Sequence, residues 1–253
     1  MSTQFSRIAI VTGATSGIGE ATMRAFIANG YAVVGNGRTA DKLQKLEQEL
    51  GPAFCGVAGD ASDNKTIEQL FLVAEEHYGR PVDTVVANAG RGMGGSVKDA
   101  DLSEFQEVLN INVTGTLFLL QKAARKLVEY QEKRFPENAA DIVIIGSTVG
   151  RLISPFSSVY GSTKFAVHAL AESLRREIGP MGVRVTLIEP AIVISGFQSA
   201  AGYSDDMVQV FHEKFGPLLQ SDDIANAIQY VVNQPPHVHV SDVMVRSTRQ
   251  HYP

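Results

Sequence analysis

The stretch RIAIVTGATSGIGEATMRAFIANGYAVVGNGR, residues 7–38, decides the fold. It opens with a β-branched apolar run, RIAIVT (7–12), turns through the glycine-rich TGATSGIG (12–19), and continues with helical periodicity to a second apolar run, YAVVGN (31–36). An apolar strand, a glycine turn, a helix and another apolar strand make a β-α-β unit. The glycines have separate uses: Gly13 for the tight turn, Gly17 for close backbone approach to a pyrophosphate, Gly19 for close helix–strand packing. The spacing is G-x-x-x-G-x-G rather than G-x-G-x-x-G, so alone it also fits a glycine turn that holds no ligand.

Outward from this unit the alternation continues. Further strands are expected at AFCGVAG (53–59), VDTVVAN (82–88), DIVIIGS (141–147), RVTLIEP (184–190) and HVSDVMV (239–245). Helices are expected at 17–29, 39–50, 64–78, 103–132, 157–178, 204–215 and 221–233. Nearly continuous apolar strands are the mark of parallel strands covered on both faces. The pattern predicts one doubly wound α/β domain over residues 1–253, with ligands at the carboxyl ends of the strands. The polar RFPENAAD (134–141) reads as a loop within it.

Composition narrows the class. A net charge of -5 gives no basic footprint for nucleic acid, and no apolar run is long enough to span a bilayer. The N-terminus runs straight into the first strand, leaving no room for a signal peptide. The lone Cys55 allows no intrachain disulfide and suits a reducing compartment, so cytoplasm is expected.

Several further motifs follow in order: ANAG (87–90), NINVTG (110–115), GSTVG (146–150), YGSTK (160–164) and EPAIVIS (189–195). Together with TGATSGIG this ordered set resembles the short-chain dehydrogenase/reductase family in its single-domain form, from near residue 7 to near residue 245. Within it, the GSTVG, VYGSTK and VRVTLIEP segments and the C-terminal QPPHVHVSDVMVRSTRQ resemble the NADP-dependent serine and 3-hydroxy acid dehydrogenases. The resemblance implies a Rossmann-like seven-stranded parallel sheet with helices on both faces. It also implies hydride transfer between a nicotinamide and a carbonyl or alcohol.

By that resemblance Tyr160 is the proton donor and acceptor. A phenol titrates near pH 10 in water, and a neighbouring cation lowers that value. Lys164, one turn further on the same helix face, supplies the charge and would hold the nicotinamide ribose. Ser147 would bond the substrate oxygen, and Asn112 resembles the asparagine whose helix distortion holds a water linking Lys164 to solvent. Singly, each has a plainer reading: a surface pair, a turn serine, a helix asparagine.

The cofactor expected is NADP(H), with NAD(H) as the alternative. Gly37 stands where an NAD site places a carboxylate, and Arg38 follows it with a guanidinium suited to a 2′-phosphate. Thr39 lies beside it, and Asp41 is expected to point away. The remaining cofactor-binding candidates are Thr15, Ser16 and Ile18 in the glycine loop, with Asp60 and Ala61 after the third strand. To these the resemblance adds Asn88, Ala89 and Gly90, and then Pro190, Val193 and Ser195 about the carboxamide. Asp60, with Ser62, alternatively caps the next helix. Three departures stand out: Ala87 for a usual asparagine, Ala191 for a usual glycine, and Ser195 for a usual threonine.

Substrate-facing candidates are Ser147, Val149, Phe156 and Phe197, with Arg91, Met93, Leu152 and Tyr203 close by. The flap 194–211 looks too small for a steroid or a carrier-bound acyl chain, and Arg91 is a candidate partner for a substrate carboxylate. The substrate expected is a small ketone, or a 3-oxo or 3-hydroxy acid. No metal site is expected: His237 and His239 share a strand face but lack further ligands, and His168 reads as a core or interface histidine. The resemblance implies a homo-oligomer, tetramer or dimer, packed through 103–132 and 157–178. The competing class is a regulatory or redox-sensing protein that binds NADP(H) on the same fold. A dehydratase or epimerase would carry a larger C-terminal region than this chain has.

Overall fold

The computed structural model describes residues 5–197 and 201–252. Seven parallel strands form one sheet: β1 (Ile8–Val11), β2 (Ala32–Gly37), β3 (Phe54–Ala58), β4 (Thr84–Ala87), β5 (Ala140–Ile145), β6 (Val183–Pro190) and the last, Asp242–Val245. Two short strands intervene, β7 (Val193–Ile194) and β8 (Leu219–Gln220), so the last sheet strand is β9. The sheet order is β3-β2-β1-β4-β5-β6-β9. This is the Rossmann-like doubly wound α/β fold expected from the sequence. The order reverses between β1 and β4, and the crevice above that reversal is where such sheets bind ligands.

The helices are α1 (Gly17–Ala28), α2 (Ala40–Leu50), α3 (Asn64–Tyr78), α4 (Phe105–Leu109), α5 (Thr116–Gln131), α6 (Ser158–Ile178), α7 (Asp205–Phe215) and α8 (Ser221–Val232). Met23 and Phe26 of α1, Leu43 of α2 and Ile224 and Ile228 of α8 cover one sheet face. Ile67 and Leu70 of α3, Leu119 of α5 and Val167 of α6 cover the other. Burial on both faces is why the strands read as unbroken apolar runs.

The helix expected over 103–132 is interrupted. Between α4 and α5, residues Asn110–Gly115 wind as a π turn. Gly115 closes this turn against Ala61 and Ser62, where a Cβ would stand 2.5 Å from the Ala61 carbonyl oxygen. The cap of α3 also differs from expectation: Asp63 accepts from the Lys65 N–H at 3.0 Å. Asp60 instead accepts from the Ser62 N–H and hydroxyl, both at 2.8 Å, within its own turn.

At the opposite, amino-terminal edge of the sheet lies a buried ion cluster. Arg7 pairs with Asp83 at 2.7 Å and with Asp141 at 2.8 Å, and Arg184 pairs with Asp141 at 2.8 Å. The cluster ties together the starts of β1, β4, β5 and β6. The guanidiniums also donate to main-chain carbonyls, including that of Val232 at the end of α8, so the buried charges are compensated.

Candidate active site

A cleft of about 1490 Å³ opens above the carboxyl edge of the sheet. The sequence-predicted site residues all line it except Gly19, Thr39, Asn112 and Leu152. Gly19 is a packing residue: a Cβ there would stand 2.2 Å from the Gly13 carbonyl oxygen and 2.5 Å from the Asn88 amide nitrogen. Thr39 is exposed at the start of α2, outside the cleft wall. Asn112 is buried beneath the floor, only 1% exposed.

The glycine loop forms one end. Gly13 and Gly17 adopt positive φ values of 67° and 54°, a conformation that side chains other than glycine rarely enter. Ser16 at the start of α1 makes no side-chain cap bond, and the first amides of a helix have no partners within it. These amides, beside the positive end of the α1 dipole, fit a pyrophosphate. Asn88 holds the loop from the next strand: its Nδ2 donates to the Thr12 carbonyl at 2.9 Å, while the Thr12 hydroxyl accepts from the Asn88 and Ala89 amides at 3.1 Å. Ala87, where a second asparagine would be usual, is buried in the core. At Gly37 a Cβ would stand 2.4 Å from the Thr15 methyl. A side chain at 37 would have to displace Thr15, and Arg38 beside it is largely exposed.

The middle of the cleft gathers the expected catalytic set. Tyr160 and Lys164 come from α6, Ser147 from the end of β5, and Asn112 supports them from the π turn. Burial pushes the Tyr160 phenol well above its usual range, Tyr203 pushes the same way, and a hydrogen bond with Ser147 pulls it back. Lys164 lies beside it, with its ammonium turned to the main chain of β5. Its Nζ donates to the Ile145 carbonyl at 2.8 Å and lies 5.9 Å from the Tyr160 ring centroid. Burial draws Lys164 itself down to about 8. With burial the largest influence on it, the phenol keeps its proton at neutral pH.

Asn112 is fully engaged. Its Oδ1 accepts from the Arg91 N–H at 2.8 Å, and its Nδ2 donates to the Arg91 carbonyl at 2.9 Å and the Thr163 hydroxyl at 3.0 Å. Thr163 donates in turn to the Tyr160 carbonyl at 2.7 Å, so one side chain fixes the loop after β4 to α6. Near it, a Cβ at Gly90 would lie 3.1 Å from Asn112 Oδ1. His168, read as a core or interface residue, sits behind the reacting groups. Its Nε2 accepts from the Ser147 N–H at 3.2 Å, and the imidazole presses on Gly146 and Gly150, where a Cβ would approach it to within 2.5 Å. Burial lowers its pKa to about 4, so it is neutral and sets the Ser147 backbone.

The third end is the mixed wall of the flap. Phe197 packs edge-on to Tyr160 with centroids 5.6 Å apart, and Val149 and Met93 are buried beside them. Phe156 is exposed at the rim. Residues 198–200 of the flap lie outside the described residues. Ser195 Oγ accepts from the Phe197 N–H at 3.2 Å, and the Ala191 N–H donates to Val245 at 2.9 Å. The sequence reading missed two things here. The C-terminal tail reaches the cleft: Gln250 accepts from the Ile192 N–H at 3.2 Å and the Tyr252 hydroxyl donates to Ile153. Arg91, expected to meet a carboxylate of the substrate, is paired with Glu104 and with Glu107, the latter at 2.8 Å. No cluster of three or more metal-ligating side chains exists among the described residues. His239 bonds the Val185 carbonyl at 2.9 Å in a packing role. No described helix is long and apolar enough to cross a membrane.

A parallel sheet with a glycine loop at its reversal point and a tyrosine–serine–lysine set beside it defines a class of α/β dinucleotide-binding oxidoreductases. Comparison with known proteins makes this specific. The family model of the short chain dehydrogenases matches residues 7–204. An uncharacterized oxidoreductase of Staphylococcus aureus is 32% identical over 241 residues, 95% of this chain and 96% of that one. A serine dehydrogenase solved with NADP+ superposes with a TM-score of 0.86 at 28% identity, over 97% of this chain and 96% of the other. A 3-ketoacyl-(acyl-carrier-protein) reductase of Brucella melitensis, solved with NADH, gives 0.86 at 25% identity over 97% and 98%. An alcohol dehydrogenase of the archaeon Thermococcus sibiricus, solved with 5-hydroxy-NADP, gives 0.81 at 29% identity over 98% and 99%. The chain belongs to the short-chain dehydrogenase family and is an oxidoreductase of that family.

Proposed function

We propose that the protein is an NADP(H)-dependent dehydrogenase or carbonyl reductase acting on the CH–OH or carbonyl group of a small substrate. The observation that carries this is the buried Tyr160, with Lys164 and Ser147 on the same cleft lining, in a cleft whose far end fits a pyrophosphate. A nicotinamide held there supplies or accepts the hydride. Tyr160 delivers its proton to the carbonyl oxygen as the hydride reaches carbon, or takes it back from the alcohol in the reverse sense. Ser147 donates to the same oxygen and stabilises the charge that develops on it. Lys164 holds the cofactor ribose, and Asn112 positions the loop and α6. Gly13, Thr15, Ser16, Gly17 and Ile18 cradle the phosphates, and Asp60, Ala61, Asn88, Ala89 and Gly90 flank the adenosine half. Pro190, Val193 and Ser195 face the carboxamide.

Arg38 supports NADP(H), since position 37 is a glycine and carries no acid to repel a 2′-phosphate. Among the solved relatives both phosphorylated and unphosphorylated cofactors occur, so NAD(H) is the alternative. The solved relatives include a serine dehydrogenase and an alcohol dehydrogenase, so small alcohols and the matching ketones are the substrate class to test. The reading includes a single domain, a cytoplasmic homo-oligomer, and no nucleic-acid or membrane partner. Consumption of NADPH and NADH is compared across small ketones, for the wild type and Tyr160→Phe. Turnover that prefers NADPH and falls by about 10²–10⁴-fold in the variant is expected. Equal turnover by the variant overturns the proton-transfer role, and tight cofactor binding with no turnover on any ketone favours a regulatory, redox-sensing protein.

A further inference from the structure

We propose that the substrate is a neutral, hydrophobic carbonyl compound, aryl or branched alkyl, and that the site rejects carboxylates. This rests on the reductase reading and deepens it. The cations lining the cleft, among the described residues, are Arg38, Arg91, Lys164 and Lys214. Arg38 follows β2, is exposed, and lies 3.8 Å from the Glu107 carboxylate. Lys164 is buried and donates to Ile145 at 2.8 Å. Arg91 is neutralised by both Glu104 and Glu107, the latter standing between it and Arg38. Lys214 is exposed on α7, where water screens its charge. None of the four is a desolvated cation placed to receive a substrate carboxylate.

The same wall carries acids and rings. Asp99 and Asp101 join Glu104 and Glu107 on the cleft lining, so an anion approaching there meets four carboxylates against the already paired Arg91. Around Tyr160 the surface is apolar: Met93 and Val149 are each 8% exposed, and Phe197 packs on the phenol ring. An aromatic row continues outward through Tyr203, Phe211 and Phe215, with successive centroids 6.1 and 6.4 Å apart. A planar, uncharged group gains stacking and apolar contact along this row. A carboxylate placed there is stripped of water without a partner.

The test uses two ligands sharing one ketone, para-acetylbenzoate and its methyl ester, with NADP(H)-saturated protein. Binding is measured by calorimetry on Tyr160→Phe and turnover on the wild type. The ester is expected to bind roughly tenfold or more tightly than the acid. Glu104→Gln combined with Glu107→Gln frees Arg91 and is expected to shift the acid-to-ester ratio toward the acid. Equal or tighter binding of the acid by the unmodified wall, or no binding of the ester, overturns the inference. Ester binding without wild-type turnover would sink the reductase reading while leaving the site's preference for a neutral ligand standing.

Discussion

His168 and Gly19 show how single residues hold the site without touching a substrate. His168 is neutral because burial lowers its pKa to about 4, against 6.5 in the unfolded chain. A folded value below the unfolded one means the unfolded chain takes up the proton first as pH falls. Stability is therefore complete above about pH 6.5 and declines as pH drops toward 4. Urea unfolding from pH 7 to 4 should show this loss, and His168→Gln should flatten it; an unchanged slope would assign the titration elsewhere. At Gly19 the approach to Gly13 leaves no space for a methyl, so Gly19→Ala should destabilise the protein by about 1–3 kcal/mol and weaken cofactor binding together. The GSTVG and TGATSGIG glycines were legible as motifs. That Gly146 and Gly150 make room for a histidine from α6 was not, because the two contact only after the chain folds.

At the scale of elements, the π turn between α4 and α5 links the loop after β4 to the catalytic helix. Asn112→Ala should leave the Arg91 N–H and carbonyl unsatisfied in a buried place, costing about 1–3 kcal/mol in chemical denaturation. Asn112→Asp tests positioning more sharply: it keeps the acceptor but loses the donors to Arg91 and Thr163. It should lower kcat more than it raises KM, and parallel changes in both would speak for a purely structural role. The large strands were legible because burial on both faces leaves an unbroken apolar run. The break in the long helix was not, since NINVTG keeps apolar residues at helical spacing on both sides. β7 and β8, two residues each, are too short to carry any alternation. The acid partners of Arg91 lie 13 and 16 residues away, and neither a motif nor a period joins them.

For the molecule as a whole, chemistry and anchoring sit at opposite edges of one sheet. Asp141→Asn would leave Arg7 and Arg184 short of a buried counter-charge and should destabilise by about 3–5 kcal/mol. Thermal unfolding of the cofactor-saturated protein would show it; a change no larger than that of a surface substitution would mean the cluster is compensated by its main-chain carbonyl bonds. Arg7, Asp83, Asp141 and Arg184 each stand at or beside the start of a different strand, so they work as a registration pin. If one strand slid by a single residue past its neighbour, its charge would turn to the opposite face of the sheet. The alignment fixed there is inherited, strand by strand, by Gly13, Asn88, Ser147 and Pro190 at the far ends. A fault in the pin would thus surface first as imprecise chemistry, before the protein lost its shape.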